Sequence, residues 1–357
     1  MVEKVSTAFV KLGIDTTLGG MPVRGNVGMQ YIHTDQSSTG FYRIGNVISP
    51  VTRGTSYDDW LPSLNLNAEV AANTYVRMGL GKTLARGRID DMRAGAEVKI
   101  NAATQVGGPT TWGGSGGNPE LQPWRATAFD LSFERYFGKR SYVAFAGFYK
   151  DLKTYIYKQN WIVDFSAFPN TSNPPLATPL NPLAIFETPA NGNGGQVHGA
   201  ELSASLDAGL WNAALDGFGV TGSISVVASN VAPNGPGTSQ KLPGLSGTSS
   251  NLTGYYEKNG FQVRVSQRYR SAFRGEINGL HNAREFSNIE AERQVDAQIG
   301  YEFQTGSLKG LSVLLQANNL TNAPYVTTQG NGFGDVVAVE RYDTYGRQLL
   351  LGVTYKY

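Results

Sequence analysis

The sequence predicts an all-β protein, an antiparallel up-and-down transmembrane β-barrel wall of about 13 strands. Three observations lead there. Apolar and polar residues alternate with period two from end to end, while the i, i+3, i+4 spacing of helices hardly occurs. The 357 residues include 44 glycines and 16 prolines, which punctuate the chain with turns, and 18 tyrosines and 16 phenylalanines, which suit strands. The connections between the predicted strands alternate between short and long.

Taken in order, the first strands are expected over 3–15 and 22–34, and in the second Val23, Val27, Met29 and Tyr31 oppose Arg24, Asn26 and Gln30. Strands then follow at 59–70, 74–86, 124–137, 141–157, 196–208, 218–229 and 244–257. The strand at 260–271 has the clearest alternation, with Phe261, Val263, Val265 and Tyr269 facing away from Gln262, Arg264, Ser266 and Arg268. At 292–304, Val295, Ala297, Ile299, Tyr301 and Phe303 alternate with Gln294, Asp296, Gln298 and Glu302. Strands at 309–322 and 342–357 finish the set, the last with Leu349, Leu351, Val353, Tyr355 and Tyr357 on one face.

Short connections fall at Thr16–Met21, Ala71–Asn73, Gly138–Arg140, Ala208–Gly217, Lys258–Asn259 and Gln304–Leu308. Long ones, rich in Gly, Pro and Asn, fall at 35–58, 87–123, 158–195, 230–243, 272–291 and 323–341. Such lopsidedness is that of an outer-membrane barrel with short periplasmic turns and long extracellular loops. The strands also reach the ~9–11 tilted residues that cross a bilayer, whereas a soluble β-sandwich uses shorter ones.

Composition removes other classes. Thirty Lys+Arg against 28 Asp+Glu give a net charge of +2, with no basic face for nucleic acid. There is no cysteine for a disulfide or thiolate-metal scaffold. No stretch has the ~18 apolar residues of a membrane helix, and the segment from Met1 to Thr7 does not read as a secretory signal.

The segment Gln316-Ala317-Asn318-Asn319-Leu320-Thr321-Asn322-Ala323-Pro324-Tyr325, followed by Tyr345-Gly346-Arg347-Gln348-Leu349-Leu350-Leu351-Gly352-Val353-Thr354-Tyr355-Lys356-Tyr357, resembles the C-terminal end of TonB-dependent outer-membrane receptors. Asp59-Trp60-Leu61-Pro62-Ser63-Leu64-Asn65-Leu66, Gly81-Lys82-Thr83-Leu84-Ala85-Arg86, Gly117-Asn118-Pro119-Glu120-Leu121, Phe148-Tyr149-Lys150-Asp151-Leu152 and Leu242-Pro243-Gly244-Leu245-Ser246 resemble the same family in the same order. The resemblance implies a barrel of about 22 strands around an N-terminal plug. It places this chain, residues 1–357, as the C-terminal portion of that barrel, strands 10–22, with no plug domain and no energy-coupling box. It further implies an energy-coupled transporter of a scarce nutrient, oligosaccharide or siderophore, in the outer membrane. Its partners would be outer-membrane lipid, the nutrient, the periplasmic TonB protein acting through the N-terminal region, and the barrel assembly machinery. A passive porin-like barrel of 12–14 strands is the alternative.

The polar strand faces are expected to line the lumen: Arg24, Asn26, Gln30, Asn65, Asn67, Glu69, Arg77, Asp130, Glu134, Gln262, Arg264, Arg268, Asp296 and Gln298. Tyr42, Arg43, Trp112, Trp161, Phe165, Arg274 and Phe333 are expected as exposed ligand-binding residues of the long loops, since aromatic faces beside Asn, Gln and Arg suit sugars or aromatic siderophores. Trp60 and Trp124 read as rim-girdle residues. Gly352, Tyr355 and Tyr357 resemble the C-terminal signal read by the assembly machinery, although Leu350 stands where that signal has a polar residue.

No enzyme and no cofactor are expected. His33, His198 and His281 lie on separate segments without ligand spacing. Asp90 and Asp91 are adjacent and point apart on extended chain, which does not suit an acid/base pair. Gly330-Asn331-Gly332-Phe333-Gly334 neither follows a parallel strand nor opens a helix, so it is no phosphate loop.

Overall fold

The structure is a computed structural model that describes every residue except 45–46, 103–107, 139, 171, 173–175, 232–240, 279–283, 331–336 and 357. Four strands open the chain, β1 (Val2–Leu18), β2 (Met21–Ile44), β3 (Val47–Ala71) and β4 (Thr74–Ala85). A small hairpin follows, β5 (Ala96–Asn101) and β6 (Thr111–Gly116). Next come β7 (Trp124–Phe137), β8 (Ser141–Asp164), β9 (Leu183–Asp207), β10 (Phe218–Val231), β11 (Thr248–Lys258) and β12 (Phe261–Arg270). The remainder is β13 (Phe273–Asn278), β14 (Arg284–Ile289), β15 (Glu292–Glu302), β16 (Leu311–Asn318), β17 (Tyr325–Gly330), β18 (Val337–Asp343) and β19 (Gln348–Tyr355).

The wall is the antiparallel path β1-β2-β3-β4-β7-β8-β9-β10-β11-β12-β15-β16-β19, thirteen strands each paired with its neighbour in sequence order. Among the described residues β1 pairs only with β2, and β19 only with β16. Two-residue turns at Gly19-Gly20 (φ +57° and +84°) and Asn259-Gly260 (φ +54° and +83°) need left-handed backbone at both positions, which Gly and Asn supply cheaply.

Register sets one polar face and one apolar face. A single row crosses the wall through the pairs Asp15–Arg24, Arg24–Asn67, Asn67–Arg77, Arg77–Ser132, Ser132–Ala146, Ala146–Glu201, Glu201–Ser225 and Ser225–Ser249. On the opposite face of β3 stand Trp60, Pro62, Leu64, Leu66, Ala68 and Val70, with Trp60 packed on Tyr31 at 4.8 Å between ring centroids. From Trp60 to Val70 the strand advances about 33 Å, and a tilt near 40° projects this to about 25 Å, the height of a lipid-facing band. Near the short turns the same face carries the contacting rings Phe218–Tyr256, Tyr256–Phe261 and Tyr301–Phe303, so aromatics border the band at both ends.

Two of the expected loops are corrected. Residues 35–58 and 158–195 are mostly strand, because β2 runs into β3 and β8 into β9 as tall hairpins of 24–25 residues per strand. Their alternation continues, but in polar residues: Thr34, Gln36 and Ser38 of β2 are buried, each 4% exposed or less. The loop at 87–123 holds β5 and β6, and the loops at 272–291 and 323–341 hold β13, β14, β17 and β18.

Those last four strands form a second sheet in the order β13-β14-β17-β18, which repeats the order β12-β15-β16-β19 beneath it. Each upper strand continues a wall strand after a break, at 271–272, 290–291, 319–324 and 344–347. The sheet is therefore creased at one level along its last four strands.

Candidate functional site

The loop end is built on the polar face. The segment 87–123 folds over it, and its hairpin bridges the wall: β5 pairs in parallel with β2 at Tyr42–Ile44, and β6 with β9 at Phe186–Glu187. The path β2-β3-β4-β7-β8-β9-β6-β5 is thereby a closed ring. Side-chain amides hold the segment in place. Gln36 Nε2 donates to the carbonyls of Pro119 (2.8 Å) and Leu121 (2.7 Å), and Asn191 both donates to Gln122 O (2.8 Å) and accepts from Gln122 N (2.9 Å). Ser38 Oγ accepts from Ala94 N at 3.0 Å, and Asn118 Nδ2 donates to Pro189 O at 3.1 Å. Arg125 forks onto Asp59, whose side chain is 6% exposed, and its guanidinium lies 5.8 Å from the Tyr57 ring centroid. Burial holds the Tyr57 hydroxyl above its ordinary pKa.

The aromatics expected to meet a ligand fall into different places. Trp112 (6% exposed) and Phe165 (1%) stack at 5.9 Å and 13° inside a cluster with Val98 and Ile100. The expectation that these two are exposed is corrected, because they form the apolar core that fixes β5 and β6 against the tips of β8 and β9. Tyr42 is half-buried beside Ala96, while Arg43, Trp161 and Arg274 are exposed on separate strands. Phe333 lies outside the described residues. Asp164, at the tip of β8, accepts from Ser166 N at 2.8 Å, which holds its carboxyl below the usual range.

The polar residues are brought together. Asn65 Nδ2 donates to Asn26 Oδ1 (3.2 Å), Arg77 Nε to Glu134 Oε1 (2.9 Å) and Arg268 to Asp296 Oδ2 (3.3 Å). Arg264 pairs with Glu257 and lies opposite Gln298. Glu69 lies opposite Tyr75, Gln30 opposite Leu61, and Gln262 opposite Gly300. Arg24, Asn26, Asn65, Asn67, Arg77 and Asp130 line one concave pocket of about 520 Å³, joined by Glu201, which sequence reading missed although it stands opposite Ala146 in the same row. Gly352 and Tyr355 lie on β19, opposite Leu314 and Leu311, and Tyr357 is outside the described residues. Leu350 stands on the polar face, opposite Gln316.

His33 Nδ1 lies 2.8 Å from Asp58 Oδ1, and His198 stacks on Tyr149 at 6.3 Å; His281 is outside the described residues. Asp91 sits in a turn closed by its N–H donating to Arg88 O, and its carbonyl accepts from Asn118 N. Among the described residues no group of three or more His, Cys, Asp or Glu is placed to hold a metal ion.

A meander of this length, with aromatic borders, a polar concave face and elaborated loops at one end, is matched at family level. The family model described as TonB dependent receptor-like, beta-barrel, matches residues 5–320. The chain belongs to that family. Barrels of the family reside in the bacterial outer membrane, and the apolar band of β3 faces its lipid.

Solved structures share the fold at low identity. The ferric citrate transporter FecA in unliganded form aligns over 99% of this chain and 45% of its own, at 13% identity and a TM-score of 0.60. The siderophore receptor PirA from Acinetobacter baumannii aligns over 99% and 55%, at 12% identity and 0.57. A variant of the ferric enterobactin receptor PfeA from Pseudomonas aeruginosa, in complex with enterobactin, aligns over 99% and 54%, at 13% identity and 0.63. The chain thus spans about half the length of these receptors. No curated protein matches it in sequence.

Proposed function

We propose that this chain is the C-terminal portion of the barrel of an energy-coupled outer-membrane receptor that imports a scarce nutrient, oligosaccharide or siderophore. The observation that carries the reading is the direction of the two free edges. β1 ends at the short turn Gly19-Gly20, and β19 is antiparallel to β16, which rises from the short connection at 303–310. Both edges therefore run from the loop end toward the turn end. Pairing them with each other, within one copy or between copies inserted alike, makes a parallel contact. Antiparallel closure requires an odd number of further strands, the first and last rising toward the loops, and a 22-strand barrel leaves nine. The porin alternative of 12–14 strands has no comparable support, since thirteen strands do not close antiparallel.

The plug, the TonB protein, the assembly machinery and the nutrient are the partners this reading assigns. A planar-bilayer measurement tests it together with uptake. The full-length receptor extracted from outer membranes is expected to show no stable open channels, and cells lacking it or lacking TonB are expected to lose uptake of the same nutrient. Stable channels with TonB-independent uptake would favour the porin.

A further inference from the structure

The crease in the last four strands borders another pocket, open to one side and of about 380 Å³, on the polar face. It is lined by Arg268, Gln294, Asp296, Asn318, Tyr345 and Gln348. This volume lies within the range of small-molecule sites. It exists because the wall breaks at this level. Asn319, at φ +53°, turns the chain out of β16, and its side chain ties the turn shut, with Nδ2 donating to Gly346 O (3.1 Å) and Ala323 O (3.3 Å) and Oδ1 accepting from Ala323 N (2.8 Å). The connectors to β17 and from β18 are thereby fixed above the ends of β16 and β19.

The lining is preorganised and electrically balanced. Asp296 accepts from Asn319 N (2.8 Å) and from Arg268, whose guanidinium also donates to Gln294 Oε1 (2.6 Å). The one cation is spoken for by the one carboxylate, so the pocket offers no uncompensated charge to an anionic chelate. It offers neutral hydrogen-bonding groups instead. Among the described residues, the side-chain amides of Asn318 and Gln348 have no hydrogen-bond partner. Tyr345 stands beside them 67% exposed, an aromatic face open to solvent. Paired donors and acceptors next to an exposed aromatic ring match a ring that is polar at its edge and apolar on its face.

We propose that this crease pocket is a binding site for one unit of a neutral oligosaccharide, with the sugar face on Tyr345 and its hydroxyls on Asn318 and Gln348. The proposal rests on the receptor reading above and narrows it to the sugar class.

The test is equilibrium binding of radiolabelled maltotriose, cellotriose, xylotriose and ferric citrate to the full-length receptor that the reading above assigns to this chain, extracted folded from outer membranes, beside its Gln348→Ala and Tyr345→Ala variants. Both substituted side chains are exposed, and a heat-shifted gel band verifies that each variant is folded. At least one trisaccharide is expected to bind saturably, and each variant to weaken it by about tenfold, near 1.4 kcal/mol. Absence of saturable trisaccharide binding, or binding unchanged in both variants, would overturn the site. In that event saturable ferric citrate binding leaves the receptor reading standing. No binding of any probe, combined with stable open channels, removes both.

Discussion

Arg125 grips Asp59 through two hydrogen bonds, Nε to Oδ1 at 2.5 Å and Nη2 to Oδ2 at 3.2 Å, and so joins the start of β7 to the middle of β3 beneath the folded segment 87–123. Gln122 also accepts from Arg125 Nη1 at 2.9 Å, which draws the end of that segment into the same junction. Removing the guanidinium leaves a buried carboxylate uncompensated, at a cost of about 3–5 kcal/mol. Arg125→Ala is expected to release residues 88–123, seen as faster amide hydrogen exchange there, and Asp59→Ala in the same chain to restore part of the protection. Unchanged exchange in Arg125→Ala would show that the ion pair does not hold the segment.

Trp112 tests whether the hairpin β5–β6 has a core of its own. Truncating a buried Trp costs about 3–5 kcal/mol. Trp112→Ala is expected to expose 96–116 to limited proteolysis while the wall stays intact, whereas Trp161→Ala, at a ring 49% exposed, is expected to change nothing in the same digest. Equal cleavage of the two variants would contradict the assignment of Trp112 to a core.

The two faces of β3 predict opposite responses to one charge. Arginine at the midplane of a lipid face costs about 2–4 kcal/mol, falling to about 0–1 near the interface. Leu64→Arg or Leu66→Arg is expected to lower the yield of assembled barrel in outer membranes, Trp60→Arg to lower it less, and Asn65→Arg to be tolerated. Loss of assembly with Asn65→Arg and not with Leu64→Arg would invert the assignment of faces.

The isolated 357-residue chain is expected to aggregate or be proteolysed. Its edges at β1 and β19, unpaired among the described residues, carry open N–H and C=O groups, each costing several kcal/mol (roughly) in hydrocarbon. Phe9 (80% exposed), Leu12 (64%), Leu349 (72%) and Leu351 (71%) also stand open on those edge strands. A monomeric, detergent-resistant band from this chain alone that shifts on boiling would show that the sheet closes on itself.

The number of wall strands was legible because most of them alternate apolar and polar residues, and that pattern needs no knowledge of neighbours. Strand height was not legible. Above the lipid band the buried face of β2 is Thr34, Gln36 and Ser38, of which Gln36 and Ser38 bond the backbone of the segment above, so alternation persists there without a hydropathy signal. Trp112 and Phe165 misled for a related reason. Aromatics in a stretch rich in Gly and Asn resemble an open binding loop, but these two meet only through the pairing of β5, β6 and β9, a long-range contact that no local pattern announces. Asn319 sat in a segment singled out by resemblance alone, and its six hydrogen bonds at the crease show what the residue does there.

The crease also divides the rim mechanically. Along β2, β3, β8 and β9 the backbone ladder keeps one register from the turns to the loop tips, missing only the Lys153/Gly194 position, so a push on those tips is carried down the strands as a stiff cantilever would carry it. Along β12, β15, β16 and β19 the ladder stops at one line, and the upper sheet β13-β14-β17-β18 meets the lower one through connectors of two to six residues. Bending there strains short linkers and the few hydrogen bonds that tie them, those of Asn319 among them, and no full rows of ladder bonds, so this side of the wall yields more readily than the other. Bending of the rim is therefore expected as a rocking about that line rather than as a uniform breathing.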